Sequence, residues 1–273
     1  MVTNNDYNLD AVEAAHSVLL EITHLLGAYR DSMVLVGGWV PQLLCCGASD
    51  KHVGSIDIDL LLDHRNLQAP VYKTIKKLLM ERGYTEGEQP FIFYREVTQK
   101  SRTIRVEVDF LGAQYKGTGK KHRTQQAQDI KIRKARGADL AFNKPVDIIV
   151  SGTLPDGAED KVSVKVASIV PFLVMKAQAL NDRLKEKDSW DIYYCLLNYP
   201  GGVETIAAEF RKFSANKLVQ EGLAILRDKF GSVKGLGPTH IAAFENITDP
   251  QEQERVRRDA YERVALLLKL IKA

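Results

Sequence analysis

The sequence predicts an α+β protein in which a mixed β-sheet with helices is followed by a helical C-terminal domain. Strand-like apolar runs alternate with helical patterns up to about residue 167, and from Ser168 onward the apolar spacing is helical. The chain has 273 residues, of which 45% are hydrophobic, so it can bury one large core or two modest ones. The change of pattern near Ala167 predicts two domains, 1–167 and 168–273.

The first domain begins with a helix and a strand. Apolar residues recur at helical spacing from about Leu9 to Tyr29. The apolar run Val34–Val36 then predicts a short strand that ends at Gly37-Gly38. A short helical pattern and a loop follow, and they lead into the strand-like run Ser55–Leu62.

The remainder of the first domain predicts one more helix and two pairs of strands. The helix is expected at about Ala69–Arg82, because apolar residues share one side and Gly83 supplies a stop. The turn Lys100-Ser101-Arg102 suggests a hairpin. The expected strands are Phe91–Val97, Thr103–Leu111, Val146–Val150 and Lys161–Val166.

The second domain is expected to consist of packed helices. Pro171 lies near the start of the first of them, where its missing N–H does little harm. The last helix is expected at about Pro250–Lys272. It carries an apolar stripe on one face, formed by Val256, Ala260, Val264, Leu267, Leu268 and Ile271.

Composition and charge exclude several classes of protein. The formal net charge of +3 is too small to predict nucleic-acid binding, so any basic surface must come from local clustering. The three cysteines, Cys45, Cys46 and Cys195, lack zinc-site spacing and are predicted to be reduced and buried. The polar amino terminus is unlike a secretory signal, and no apolar run approaches the roughly 18 residues of a membrane span. We therefore expect a cytoplasmic protein with no membrane partner.

Two acidic side chains stand out in the strand Ser55–Leu62. Because side chains alternate along a strand, Asp57 and Asp59 project from one face while Ile58 and Leu60 project from the other. Two neighbouring carboxylates repel each other unless a cation lies between them. This pair therefore predicts a site for a divalent cation.

A third carboxylate is expected from the strand Thr103–Leu111. Glu107 and Asp109 share its polar face, which on its own would be typical of a solvent-exposed strand. If this strand lies beside the one that carries the acid pair, it offers a third ligand. Asp109 is the preferred candidate because it leads into the apolar end of the strand, and Glu107 is the weaker one.

A basic segment follows between residues 116 and 136. It contains eight lysines and arginines against one acid, Asp129. Such a run is equally compatible with a solvated loop and with a surface that binds phosphates of a nucleotide or of a nucleic-acid backbone. Its glycines suggest a mobile loop. The RNA-binding candidates are Lys120, Lys121, Arg123, Lys131, Arg133, Lys134 and Arg136.

Two further patterns occur in the helical half. Lys176 and Arg183 lie seven residues apart on one side of a helix, where they can approach a triphosphate. Asp188 is expected to cap the next helix, with Asp191 one turn inside it. The alternative is a capping and salt-bridge cluster at a corner between two helices.

Together these residues resemble the nucleotidyltransferase superfamily, and most closely the AbiEii-type toxins of abortive-infection and type IV toxin–antitoxin systems. The resemblance covers about residues 34–197. It implies a polymerase-beta-type mixed sheet followed by a helical domain. It also implies site roles: Gly37 and Gly38 would contact phosphate, and Ser55, Asp57 and Asp59 would hold metal and triphosphate. Lys176 would bind the nucleotide, and Asp191 would complete the site.

The sequence departs from that pattern in two places. Trp39-Val40-Pro41 follows the glycine pair in place of small residues, and the loop Gly47–Gly54 is longer than in most relatives. The Gly-Gly-Trp sequence also resembles some aminoglycoside nucleotidyltransferases. The alternatives are therefore an antibiotic-modifying enzyme, or a non-catalytic nucleotide- or RNA-binding module.

The expected activity is transfer of a nucleotide from a nucleoside triphosphate to an acceptor hydroxyl. Carboxylate and phosphate oxygens favour Mg²⁺, with Mn²⁺ as a substitute. Asp57 and Asp59 would hold the metal ions, Asp109 would lie nearest the attacking hydroxyl, and Lys176 and Arg183 would neutralise the triphosphate. The basic segment favours an RNA acceptor, tRNA in particular. A toxin of this kind would have a cognate antitoxin.

Overall fold

The structure is a computed structural model that describes residues 3–67, 73–114 and 124–272. The chain divides into two compact units. The sheet unit comprises Tyr7–Val40 and Gly54–Ser168, and the helical unit comprises Met1–Asp6, Pro41–Val53 and Ile169–Ala273. The predicted mixed sheet with helices and the helical C-terminal region are confirmed.

The described part of the sheet unit contains nine strands that form one sheet. They are β1 (Met33–Val36), β2 (Asp57–Leu62), β3 (Thr85–Glu86), β4 (Ile92–Gln99), β5 (Arg102–Ala113), β6 (Thr124–Ala127), β7 (Ile130–Ala135), β8 (Val146–Thr153) and β9 (Glu159–Val166). The order is β3-β4-β5-β2-β1-β9-β8, and β7 pairs with both β5 and β6. The sheet is mixed because β2 runs antiparallel to β1 and parallel to β5.

The core of the sheet unit lies between the sheet and the first helix. Helices α1 (Leu9–Leu25) and α3 (Ile75–Glu81) belong to this unit, and α1 packs against β2, β4, β5, β8 and β9. The inward residues of the central strands, such as Ile58, Leu60 and Val108, are fully buried. Removing this apolar surface from water is the main contribution to the stability of the unit.

The helical unit is built from packed helices and one segment of the preceding chain. Its helices are α4 (Ile169–Arg183), α5 (Glu186–Asn198), α6 (Gly202–Arg211), α7 (Lys217–Lys229), α8 (Leu236–Phe244) and α9 (Pro250–Lys272), and most of the short helix α2 (Val40–Leu44) also belongs to it. Helix α5 packs against α4, α6, α8 and α9. The predicted stripe on α9 is buried at Val256, Ala260, Val264 and Leu267.

Several element boundaries differ from the sequence predictions. Helix α1 ends at Leu25 rather than near Tyr29, and a 3₁₀ segment begins at Gly27. Helix α3 starts at Ile75, because Thr74 is extended and its side chain accepts a hydrogen bond from the backbone of the first turn. The predicted start of that helix, residues 69–72, lies outside the described residues.

The second half of the basic segment forms the β6–β7 pair, whereas Gly117 and Gly119, which suggest a mobile loop, lie outside the described residues. Two other predictions were wrong, one of them in part. Asp188 is not a helix cap, since α5 begins at Glu186 and the extended cap position is Lys185. Cys45 and Cys195 are buried free thiols, but Cys46 is exposed. In the described part of the chain, no helix is both long and apolar enough to cross a membrane.

Candidate active site

The two acids of β2 lie on its polar face. Asp57 is exposed and Asp59 is half-buried, whereas Ile58 and Leu60 between and beyond them are fully buried. The strand therefore turns its apolar residues towards α1 and both carboxylates towards the opposite side. The predicted alternation of β2 is confirmed.

Two more carboxylates come from β5, the parallel neighbour of β2. Asp59 is in register with Asp109, and Asp57 is in register with Glu107. Because residues in register project to the same side of a sheet, four carboxylates share one face. Burial, and then the nearby carboxylates of Asp109 and Asp57, raise the pKa of Glu107. The sheet thus brings both candidate third acids beside the predicted pair.

The turn after β1 lies directly against this acid face. Gly37 follows Val36, which pairs with Asp59, and its backbone has a positive φ of 74°. A Cβ atom at this position would lie 1.9 Å from Asp59 Oδ2. Only glycine therefore permits both the backbone conformation and the close approach of the carboxylate.

Trp39 supports the same strand from within the core. Its side chain is 1% exposed, and its indole Nε1 donates a hydrogen bond to the backbone oxygen of Asp57 over 2.9 Å. The ring also lies 5.6 Å, centroid to centroid, from the ring of His16 on α1. The residue that departs from the expected small side chain therefore anchors the start of β2.

The carboxylates of this face have identifiable neighbours. Ser55 Oγ donates a hydrogen bond to Asp57 Oδ1 over 2.5 Å, and the Arg133 guanidinium forms a short ion pair with Asp109. Carboxylate oxygens are the ligands that hard divalent cations prefer. In the described ranges, however, no three His, Cys, Asp or Glu side chains converge at metal-binding distance. The donor chemistry of this face nevertheless fits a divalent cation.

The helical unit gathers four further site candidates into one buried cluster. Lys176 Nζ lies 2.8 Å from Asp188 Oδ1 and 2.6 Å from Asp191 Oδ2. Arg183 forms a two-point ion pair with Asp188, at 2.8 Å and 2.9 Å. The predicted salt-bridge cluster is thus present, and both predicted triphosphate-binding cations have carboxylate partners in it.

Burial and pairing shift the pKa values in this cluster in opposite directions. Burial alone would lower the pKa of Lys176, but the carboxylates of Asp188 and Asp191 raise it. Burial would raise the pKa of both acids, yet the cations keep that of Asp188 at about 2 and that of Asp191 well below its usual range. All three groups are therefore charged across the physiological pH range.

The chain was compared with models of protein families. The model of the nucleotidyl transferase AbiEii toxin of type IV toxin–antitoxin systems matches residues 20–266. The chain belongs to the AbiEii family. No curated protein and no solved structure is significantly similar to it. The family match includes every described site candidate, from Gly37 to Asp191.

Sequence analysis missed two residues of the helical cluster in this AbiEii protein. Lys187 Nζ lies 2.8 Å and 3.1 Å from the two oxygens of Asp191, and His52 Nε2 lies 2.9 Å from Oδ1 of the same residue. The i,i+4 spacing of Lys187 and Asp191 was a usable signal. His52 gave none, because it reaches the cluster from the chain segment between α2 and β2.

His52 is enclosed by aromatic rings. Its ring lies 4.8 Å from the rings of both Trp190 and Tyr194. Burial, followed by the positive charge of Lys187, lowers the pKa of His52 to about 4, although Asp191 opposes this shift. The imidazole is therefore neutral at pH 7.

The predicted RNA-binding residues are only partly described. Lys120, Lys121 and Arg123 lie outside the described residues. Lys131 and Arg136 are exposed, and Lys134 is half-buried. Arg133 instead pairs with Asp109, so its contact with RNA is an additional role that stays a prediction.

Proposed function

We propose that this AbiEii-family protein transfers a nucleoside monophosphate from a nucleoside triphosphate to an RNA acceptor and thereby acts as a toxin. The observation that carries the proposal is the face shared by Asp57, Asp59, Glu107 and Asp109. The close approach of Gly37 to Asp59 places a turn of backbone beside these carboxylates. Family membership supports the nucleotidyltransferase class and the toxin–antitoxin context.

In this proposal, Asp57 and Asp59 hold the divalent cation and Asp109 is the third ligand. Mg²⁺, or Mn²⁺ in its place, would stabilise charge on the attacking and leaving oxygens. Ser55 supports the site by orienting Asp57. Glu107 is the alternative third ligand, because it is in register with Asp57 on the neighbouring strand.

The reaction forms a bond between the acceptor oxygen and the α-phosphorus, and pyrophosphate leaves. The acceptor hydroxyl loses its proton in this step. Backbone N–H groups at Gly37 and Gly38 would contact phosphate. Nucleotide contacts by Lys176, Arg183, Asp188 and Asp191 remain predictions, since the described ion pairs of these residues are with one another and, for Asp191, also with Lys187 and His52.

The choice of RNA rests on positive charge near the acid face. Lys131 is exposed on β7, Arg136 is exposed just after it, and β7 pairs with β5. Lysines and arginines that contact phosphates release counterions, which makes RNA affinity dependent on salt. We expect Lys131→Gln and Arg136→Gln each to reduce RNA affinity at low salt. Each should also make the affinity fall less steeply with salt concentration, by about the amount that one phosphate contact contributes.

A labelling experiment tests the proposed activity. The purified protein is incubated with each α-labelled nucleoside triphosphate, Mg²⁺ and total tRNA, and transfer of label to RNA is measured. Asp59→Asn should abolish labelling. Asp147→Asn is a matched control, because it makes the same change at an exposed position on β8 of the same sheet. No labelling with any triphosphate would refute the proposal.

Two parallel arms distinguish the alternatives. Transfer of label to a kanamycin-type aminoglycoside, with none to RNA, would identify an antibiotic-modifying enzyme. Triphosphate binding by calorimetry without turnover would identify a non-catalytic module. Growth inhibition on expression that Asp59→Asn relieves would support a toxin, whereas inhibition that persists in this variant would separate toxicity from transfer.

A further inference from the structure

The acid face of the sheet continues beyond the carboxylates onto β4. Tyr94 is in register with Glu107, which in turn is in register with Asp57. The three residues therefore lie on the same side of three neighbouring strands. With strands about 4.8 Å apart, the backbone of Tyr94 is about 10 Å from that of Asp57.

Tyr94 carries a stacked guanidinium group. The Arg105 guanidinium carbon lies 4.2 Å from the centroid of the Tyr94 ring. Tyr94 is half-buried and Arg105 is exposed, and Tyr94 is in register with Glu107. The stacked guanidinium group covers the ring beside the acids.

This pair is not a simple phosphate-binding patch. Arg105 is in register with Glu96 and is two residues from Glu107, so acidic residues flank it on the same face. A phosphate would be repelled by these neighbours. A flat, uncharged group would instead gain contact with the ring and guanidinium planes, which suits a nucleobase.

We propose that Tyr94 and Arg105 form a subsite for an unpaired nucleobase of the RNA acceptor. The inference rests on the proposed function, because it assigns the surface beside the reacting atoms to the acceptor. Proteins recognise single-stranded RNA mainly by stacking unpaired bases on aromatic side chains and arginine planes. Held here, the base would bring the hydroxyl of its own or the next nucleotide towards the acids.

Binding of a short fluorescent single-stranded RNA, measured by anisotropy without triphosphate or metal, tests the subsite. Loss of one stacked base is worth about 1–3 kcal/mol, so Tyr94→Ala and Tyr94→Leu should each weaken binding at least about fivefold. Tyr94→Phe keeps the ring and should bind within about twofold of the original protein. Circular dichroism and thermal unfolding confirm that each variant is folded.

Arg105→Ala should also weaken binding. Arg102→Ala is its matched control, since it removes the same charge from the same strand, and by strand alternation Arg102 projects to the other face. Failure of the original protein to bind, equal binding by Tyr94→Ala, or equal losses in Arg105→Ala and Arg102→Ala would overturn the inference.

The labelling assay shows whether the bound nucleobase belongs to the RNA or to the nucleoside triphosphate. It also tests the base subsite separately from the proposed transfer activity. If Tyr94→Ala raises KM for RNA and leaves KM for the triphosphate unchanged, the acceptor assignment is supported. The reverse pattern would assign the ring to the base of the triphosphate and overturn it. RNA binding that depends on Tyr94 but comes with no transfer would refute the proposed function and leave the subsite standing.

Discussion

Truncation of Asp191 should destabilise the helical unit severely. The carboxylate is fully buried and accepts contacts from Lys176, Lys187 and His52. Asp191→Ala leaves two buried ammonium groups without this partner. Removing one member of a buried ion pair typically costs about 3–5 kcal/mol, and a shared carboxylate places this site at the upper end.

Urea denaturation at pH 7 measures this cost as the change in the free energy of unfolding. Asp182→Ala is the matched control, because Asp182 is exposed on α4 and should change stability by less than about 0.5 kcal/mol. A cost below about 1 kcal/mol for Asp191→Ala would refute the reasoning. The double variant Asp191→Ala/Lys187→Met should recover part of the loss, since it removes one of the two buried ammonium groups that contact Asp191.

Two further predictions concern single residues in each unit. Gly37→Ala should abolish labelling and Mn²⁺ binding, because the added methyl group displaces Asp59, whereas Gly27→Ala meets no atom within 4 Å and should preserve both. The free energy of unfolding should decrease by about 3 kcal/mol as pH falls from about 6.5 to 4, because over this range His52 is neutral in the folded protein and protonated in the unfolded chain. In urea denaturation between pH 7 and 4.5, the free energy of unfolding of His52→Gln should depend less on pH than that of the original protein. The same pH dependence in both proteins would contradict the role of His52.

The destabilisation expected for Asp191→Ala also affects how activity data are interpreted. A variant that is partly unfolded loses activity whatever role its carboxylate has in catalysis. Activity of Asp191 variants should therefore be compared at a temperature where unfolding measurements show a fully folded population. Only a residual loss under those conditions supports a contact with the nucleotide.

The acidic face of each strand could be predicted from sequence, because side chains along a strand alternate between its two faces. Alternation in β2 and β5 determined which acids share a face of their own strand, whereas the alignment of Asp59 with Asp109 comes from the register of the parallel pair in the folded chain. Both candidate third acids, Asp109 and Glu107, lie beside the acid pair. The apolar stripe of α9 could also be predicted from sequence, because its helical spacing repeats over many turns.

The remaining features depend on contacts between distant parts of the chain. The pairing of Arg133 with Asp109 follows from the attachment of β7 to β5, and no local pattern specifies it. Trp39 departs from the family pattern beside the glycine pair, but its position in the core depends on contacts with α1 and β2. His52 and Asp191 are 139 residues apart, so only the folded chain reveals that they meet.

The segment Pro41–Val53 has a consequence for biosynthesis. It packs with the helical unit, where His52 lies between Trp190 and Tyr194, and the Tyr194 hydroxyl donates to the Asp50 carbonyl. A ribosome makes this segment well before α5. His52 is therefore made 139 residues before its partner Asp191, and a fragment that begins at Ile169 would lack the segment altogether.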